Sequence, residues 1–233
     1  AREPRVTSLT PVPAQDSQFQ GFSQHLTLRQ TSVIGDCLFD AIGTAVAMRE
    51  KYCDWRFLRR IPNSTLELRA ALCHFAEENR HILLPYGSMP SVESFVVDDY
   101  VNAGFPLENS DWTEKTLQEN PQLRSSPPKR HVVSFDDYID FMKLPSTHGD
   151  ELMIALASIY FGVRILVLRE TCIDSVPRWV PAADYHPPNV DRSRHIILAH
   201  LPGHYMWMHP FRDCHIRAPR TSAGHEPHAT VSA

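Results

Sequence analysis

With 233 residues, 42% of them hydrophobic, the chain can bury one sizeable core, and its formal charge of −4 with no long Lys/Arg run excludes nucleic-acid backbone binding as its main task. No apolar run reaches the ~20 residues of a membrane-crossing helix, and no apolar signal core opens the chain, so no membrane partner is expected and the sequence reads as an intracellular, cytoplasmic protein. Five scattered cysteines, Cys37, Cys53, Cys73, Cys172 and Cys214, are odd in number and suit reduced thiols. Neither a Cys-x-x-Cys pair nor the paired histidine spacing of a zinc site occurs, so no metal and no cofactor is expected.

Residues 1–20, rich in Pro, Ser, Thr and Gln, read as a flexible lead-in to a domain at 21–212, with 213–233 as a disordered tail. Gln24 to Ser32 predicts a short strand. After it, Leu38, Ala41, Ile42, Ala45 and Val46 follow the spacing of a helix with one buried face, which puts Cys37 at the helix N-terminus. Unpaired N–H groups and the helix dipole favour thiolate there. Gly35 and Asp36 suit a loop whose N–H groups face a substrate. Cys37 is thus a candidate nucleophile, provided a histidine reaches it from elsewhere in the fold. Taken alone, such a cysteine is more often a small buried packing residue.

Asn63-Ser64-Thr65 matches a glycosylation sequon, but Ser64 also stands three residues before Glu67 as a capping box. The helix it opens carries the stripe Leu68, Ala71, Leu72, Phe75 and Ala76, expected to pack on the first helix. Between Pro85 and Pro128 repeated prolines leave only short helical pieces, around Val92–Asn102 and Thr113–Glu119, and a surface loop at Ser125 to Arg130. Ser134 with Asp137 caps a helix through Phe141 that carries Phe135, Tyr138, Ile139 and Met142 on one side. Thr147 with Asp150 reads as a further N-cap pair before a helix that stops at Gly162. Val163 to Leu168 predicts a strand and Thr171 to Arg194 a Pro-punctuated loop. His195 to Ala199 and His204 to Met208 predict a hairpin around Leu201-Pro202-Gly203. In isolation His204 is most simply a strand-end histidine held by a backbone carbonyl.

In this order, three blocks resemble the ovarian tumour (OTU) deubiquitinases, cysteine proteases of papain-like fold. Gly35-Asp36-Cys37-Leu38-Phe39 resembles their nucleophile loop, Phe135 to Leu168 their aromatic helix, Gly-x-Glu-Leu helix and following strand, and Gly203-His204-Tyr205 their histidine block. The resemblance spans about residues 25 to 210. It implies an α+β, papain-like OTU fold with a small, mostly antiparallel sheet flanked by helices. It also implies Cys37 as nucleophile, His204 as general base and later acid, and the backbone of Asp36 and Cys37, with Gly35 allowing the turn, as the oxyanion hole. The implied partner is ubiquitin or polyubiquitin, or a ubiquitin-like modifier, met by a monomeric thiol protease in the ubiquitin conjugation pathway.

Two places depart from the family where a third catalytic member would stand. Met206 occupies the position two after His204, where the family carries an acid or amide, and Ile34 the position three before Cys37, where some relatives carry Asp. The acceptor that fixes an imidazole's tautomer is missing from both. That leaves a Cys37/His204 dyad, or a polar group from another segment. His148 stands where the family often has Trp, and His195 and His200 are spare imidazoles. Alternative functions are a ubiquitin-binding pseudo-enzyme and a papain-like protease that processes a polyprotein.

Overall fold

The apolar spacing from Leu38 onward is realised as a 17-residue helix, α1 (Cys37–Cys53), which buries Leu38, Phe39, Ala41, Ile42, Ala45 and Val46. The structure, a computed structural model, describes residues 26–29, 31, 35–86, 91–119, 121, 130–173 and 176–210. The expected lead-in at 1–20 and tail at 213–233 lie outside the described residues. So does the loop expected at Ser125 to Arg130, apart from Arg130 itself.

Ahead of α1 lies β1 (Leu26–Arg29), and after it come α2 (Thr65–Glu78), α3 (Val92–Val96) running on as a π-helical turn over Val97–Asn102, β2 (Pro106–Leu107) and α4 (Ser110–Glu119). Then follow β3 (Arg130–His131), α5 (Phe135–Met142), α6 (Glu151–Phe161), β4 (Arg164–Ile173), β5 (Val176–Tyr185), β6 (His195–Leu201) and β7 (His204–Pro210). The fold is α+β. Five strands form one sheet in the order β1-β7-β6-β4-β5, and β2 pairs with β3 in a second. Within the larger sheet only β4 and β6 run parallel; the other neighbours are antiparallel. Ile165, Val167, Ile196, Leu198 and Trp207 join the helices in the main core, while Leu166, Leu168, Ile197, Ala199 and Met208 form a smaller cluster. Strands buried on both faces read as continuous apolar runs, which is why β4 and β6 are plain in the sequence.

Ser64 caps α2, its Oγ accepting from Glu67 N–H at 3.2 Å, while Glu67 Oε2 accepts at 2.9 Å from Asn63 N–H, one residue before the donor a capping box would use. Ser134 caps α5 in the same way. Two expectations need correction. Thr147 does not cap α6; Asp150 does, accepting from Met153 N–H at 3.0 Å, while the Thr147 hydroxyl donates to Phe141 O. Much of the loop expected at Thr171 to Arg194 is strand, because β5 pairs with β4 despite Pro177 and Pro181. Those prolines are tolerated on an edge strand, and the register shifts at Val167/Leu168 as a bulge.

Candidate active site

The loop before α1 is held from beneath by a side chain the hydrophobic pattern does not announce. Arg69 of α2, only 1% exposed, donates through Nε and Nη2 to Asp36 Oδ1, through Nη1 to Met142 O at 2.7 Å and through Nη2 to Thr147 O at 2.6 Å. Its guanidinium also lies over the Phe39 ring, 4.0 Å from the centroid. Burial lowers the Arg69 pKa from its ordinary value, and the bond to Asp36 opposes that. The other Asp36 oxygen accepts from Ser146 N–H at 3.2 Å.

This has a consequence at the start of α1. Ser64, Ser91, Ser134 and Asp150 cap their own helices with side-chain oxygens, but Asp36, at the N-cap of α1, makes no side-chain cap bond. The first i→i−4 bond of α1 runs from Asp40 N–H to Asp36 O, so the preceding N–H groups are left to the site. Gly35 lies at φ +54, and a Cβ there would stand 1.9 Å from Ser146 O. Only glycine combines that dihedral with so close an approach.

Cys37 is buried, 4% exposed, and its Sγ accepts from Tyr205 N–H at 3.4 Å, a contact between residues 168 positions apart. The segments that carry Cys37 and His204 are therefore side by side. The sulfur's electrostatics differ from the expectation of a favoured thiolate. Burial pushes the Cys37 thiol above its ordinary 9.0, the N–H groups of Tyr205, Leu38 and Cys37 itself pull it partly back, and the Asp36 carboxylate adds to the rise. Desolvation outweighs the helix end here. A raised thiol pKa keeps the sulfur protonated at neutral pH, so thiolate reactivity is present above the raised value and lost below it. In the free protein, Cys37 is expected to react with iodoacetamide more slowly at pH 7 than exposed Cys172, and to keep gaining rate beyond pH 9. Peptide mass spectrometry across pH checks this; a plateau below pH 8 would mean a preformed ion pair.

His204 opens β7 and is half-buried. Its Nε2 lies 3.3 Å from Thr31 Oγ1, and the Thr31 hydroxyl donates to Tyr205 O at 2.6 Å. Among the described residues no hydrogen bond joins the imidazole to Cys37 Sγ. Met206 packs against the smaller apolar cluster, and Ile34 lies outside the described residues. Of the other imidazoles, His200 stacks on Tyr205 with centroids 4.6 Å apart, His148 Nε2 is 2.9 Å from Ser110 Oγ, and His195 opens β6 opposite Arg164 of β4. His148 lines a cleft of about 600 Å³ with Glu108, Ser110, Glu114 and Gln118. Gly149 next to it rests on α1, where a Cβ would come within 2.6 Å of Leu38 and 2.9 Å of Phe39.

Behind this wall, the half-buried Asp150 accepts from Tyr100 Oη and, at 2.8 Å, from Tyr138 Oη. Burial, with Asp150 and Asp99 nearby, pushes the Glu151 carboxyl up to about 7. Among the described residues no group of three or more His, Cys, Asp or Glu side chains is placed to hold a metal ion, and no helix is long and apolar enough to cross a membrane.

No family model and no curated protein matches the chain. Solved structures do, OTU domains among them. An OTU deubiquitinase from Wolbachia pipientis wMel bound to ubiquitin is matched at 15% identity and TM-score 0.46, over 80% of this chain and 96% of that one. The OTUD1 OTU domain is matched at 13% and 0.44, over 79% and 85%, and the Hazara virus OTU bound to ubiquitin at 12% and 0.42, over 79% and 81%.

Proposed function

We propose that the chain is a cysteine-type deubiquitinase that hydrolyses (iso)peptide bonds at the ubiquitin C-terminus, with Cys37 as nucleophile and His204 as general base and acid. The observation that carries this reading is the bond from Tyr205 N–H to Cys37 Sγ, which sets the thiol at a helix N-terminus beside the strand end that bears the imidazole. Because the resting thiol is held protonated, the proton leaves as the sulfur attacks: Sγ bonds to the carbonyl carbon while His204 takes the proton. The backbone N–H groups of Asp36 and Cys37, uncommitted to a side-chain cap, receive the oxyanion. Collapse breaks the C–N bond, the departing amine takes the proton from His204, and a thioester remains. Water attacks it with His204 as base, and the ubiquitin carboxylate and the thiol are restored.

The raised thiol and the occupant of position 206 favour one second reading, a domain that binds ubiquitin without cleaving it. Turnover of ubiquitin carrying a C-terminal amide-linked fluorophore separates the two. Wild type is expected to release the fluorophore, and Cys37→Ala or His204→Ala to lower the rate by ~10³-fold or more. Binding without release would leave only the pseudo-enzyme; after release, a polyubiquitin panel defines the substrate.

A further inference from the structure

We infer that Thr31 is the positioning residue of His204, supplying from beyond the end of the first strand what the chain lacks at Met206. The inference rests on the proposed catalytic role of His204. β1 pairs with β7 as far as Arg29 opposite Trp207, and Thr31, beyond the end of β1, is hydrogen-bonded to Tyr205 of β7. Thr31 is buried there, 7% exposed, with Oγ1 2.6 Å from Tyr205 O and 3.3 Å from His204 Nε2.

Proton counting fixes the roles. A threonine hydroxyl has one proton and two lone pairs. The proton is given to Tyr205 O, which has no proton of its own to share, so towards His204 the same oxygen can only accept. The imidazole must therefore carry its proton on Nε2, and in the neutral ring this leaves the lone pair on Nδ1. That is the tautomer in which Nδ1 serves as the base, the role an orienting carboxylate or amide performs in other thiol and serine hydrolases. A hydroxyl anchored on a backbone carbonyl performs it without a charge. Tyr205 is thus used twice, its N–H on the sulfur and its C=O on the residue that orients the imidazole. Valine at 31 keeps the branched shape and removes the acceptor; serine keeps the acceptor.

The test is long-range ¹⁵N–¹H correlation of the His204 ring in the free 233-residue chain, with kcat and KM on the ubiquitin–fluorophore substrate measured beside it. Wild type and Thr31→Ser are expected to show the Nε2–H tautomer, and Thr31→Val to lose that preference. Thr31→Val should also lower kcat by about 10-fold or more, with KM little changed. A wild-type ring protonated on Nδ1, or a Thr31→Val protein with the wild-type tautomer, overturns the inference. Because the tautomer is read without substrate, it decides the role of Thr31 even if ubiquitin proves to be no substrate. The Thr31→Ser protein separates loss of the acceptor from loss of folding.

Discussion

Replacing Arg69 with alanine is expected to cost about 3–5 kcal/mol of folding stability, read as a fall in the denaturant midpoint. The substitution strands the Asp36 carboxylate and removes the donor from the Met142 and Thr147 carbonyls at once. Each buried acceptor left without a partner costs ~1–3 kcal/mol, so these losses outweigh any relief from not burying a charge. Arg69→Lys should recover little, because one ammonium cannot reproduce a planar fork that reaches three segments. Activity should fall further than stability predicts, since the freed Asp36 can fold back as an ordinary N-cap on the first N–H groups of α1. A loss under about 1 kcal/mol would mean that the loop is held by something else.

Gly35→Ala is the second large effect. The new Cβ would lie 1.9 Å from Ser146 O, 2.2 Å from its carbon and 2.6 Å from its Cα, so it is backbone that must move. Ser146 cannot yield cheaply, for its N–H is on Asp36, its O accepts from Ser110 N–H at 3.0 Å and its hydroxyl is on Asp111 at 2.8 Å. A cost of about 3 kcal/mol is expected, a fall of ~6–12 °C in melting temperature for a domain of this size, with ubiquitin turnover reduced ~100-fold or more. Gly203→Ala supplies the control. Gly203 has φ +71 but nothing within 4 Å of a new Cβ, so only the dihedral term remains, ~1–2 kcal/mol. Equal losses at the two positions would show that crowding against Ser146 is unimportant.

These two sites also mark where the sequence is legible and where it is not. Periodicity carries α1, the caps at Ser64 and Ser134, the Gly162 stop and the apolar strands β4 and β6, because each is a local pattern with a local cause. The stripe on α2 is placed slightly off: Arg69 and Cys73 are buried while Ala71 is only half-buried. At 100° per residue Arg69 falls between Ala76 and Cys73, inside the buried face, and a lone arginine there is the signal that a long-range partner waits. β5 was hidden by its prolines, whose backbone is unsuited to a central strand and acceptable at an edge. Thr31 could not be singled out, because its meaning comes from its hydrogen bonds to His204 and Tyr205, 173 and 174 positions away. Asp36 was legible as a neighbour of the nucleophile but not as the group withheld from its cap, which depends on Arg69.

The most direct measurement is covalent capture by ubiquitin whose C-terminus carries a thiol-reactive electrophile, followed by intact-mass and peptide analysis. One ubiquitin is expected to attach per chain, on Cys37, in wild type and in Cys172→Ser, and none in Cys37→Ala. An adduct on another cysteine, or no adduct while ubiquitin still binds, would contradict the assignment of Cys37 as the nucleophile.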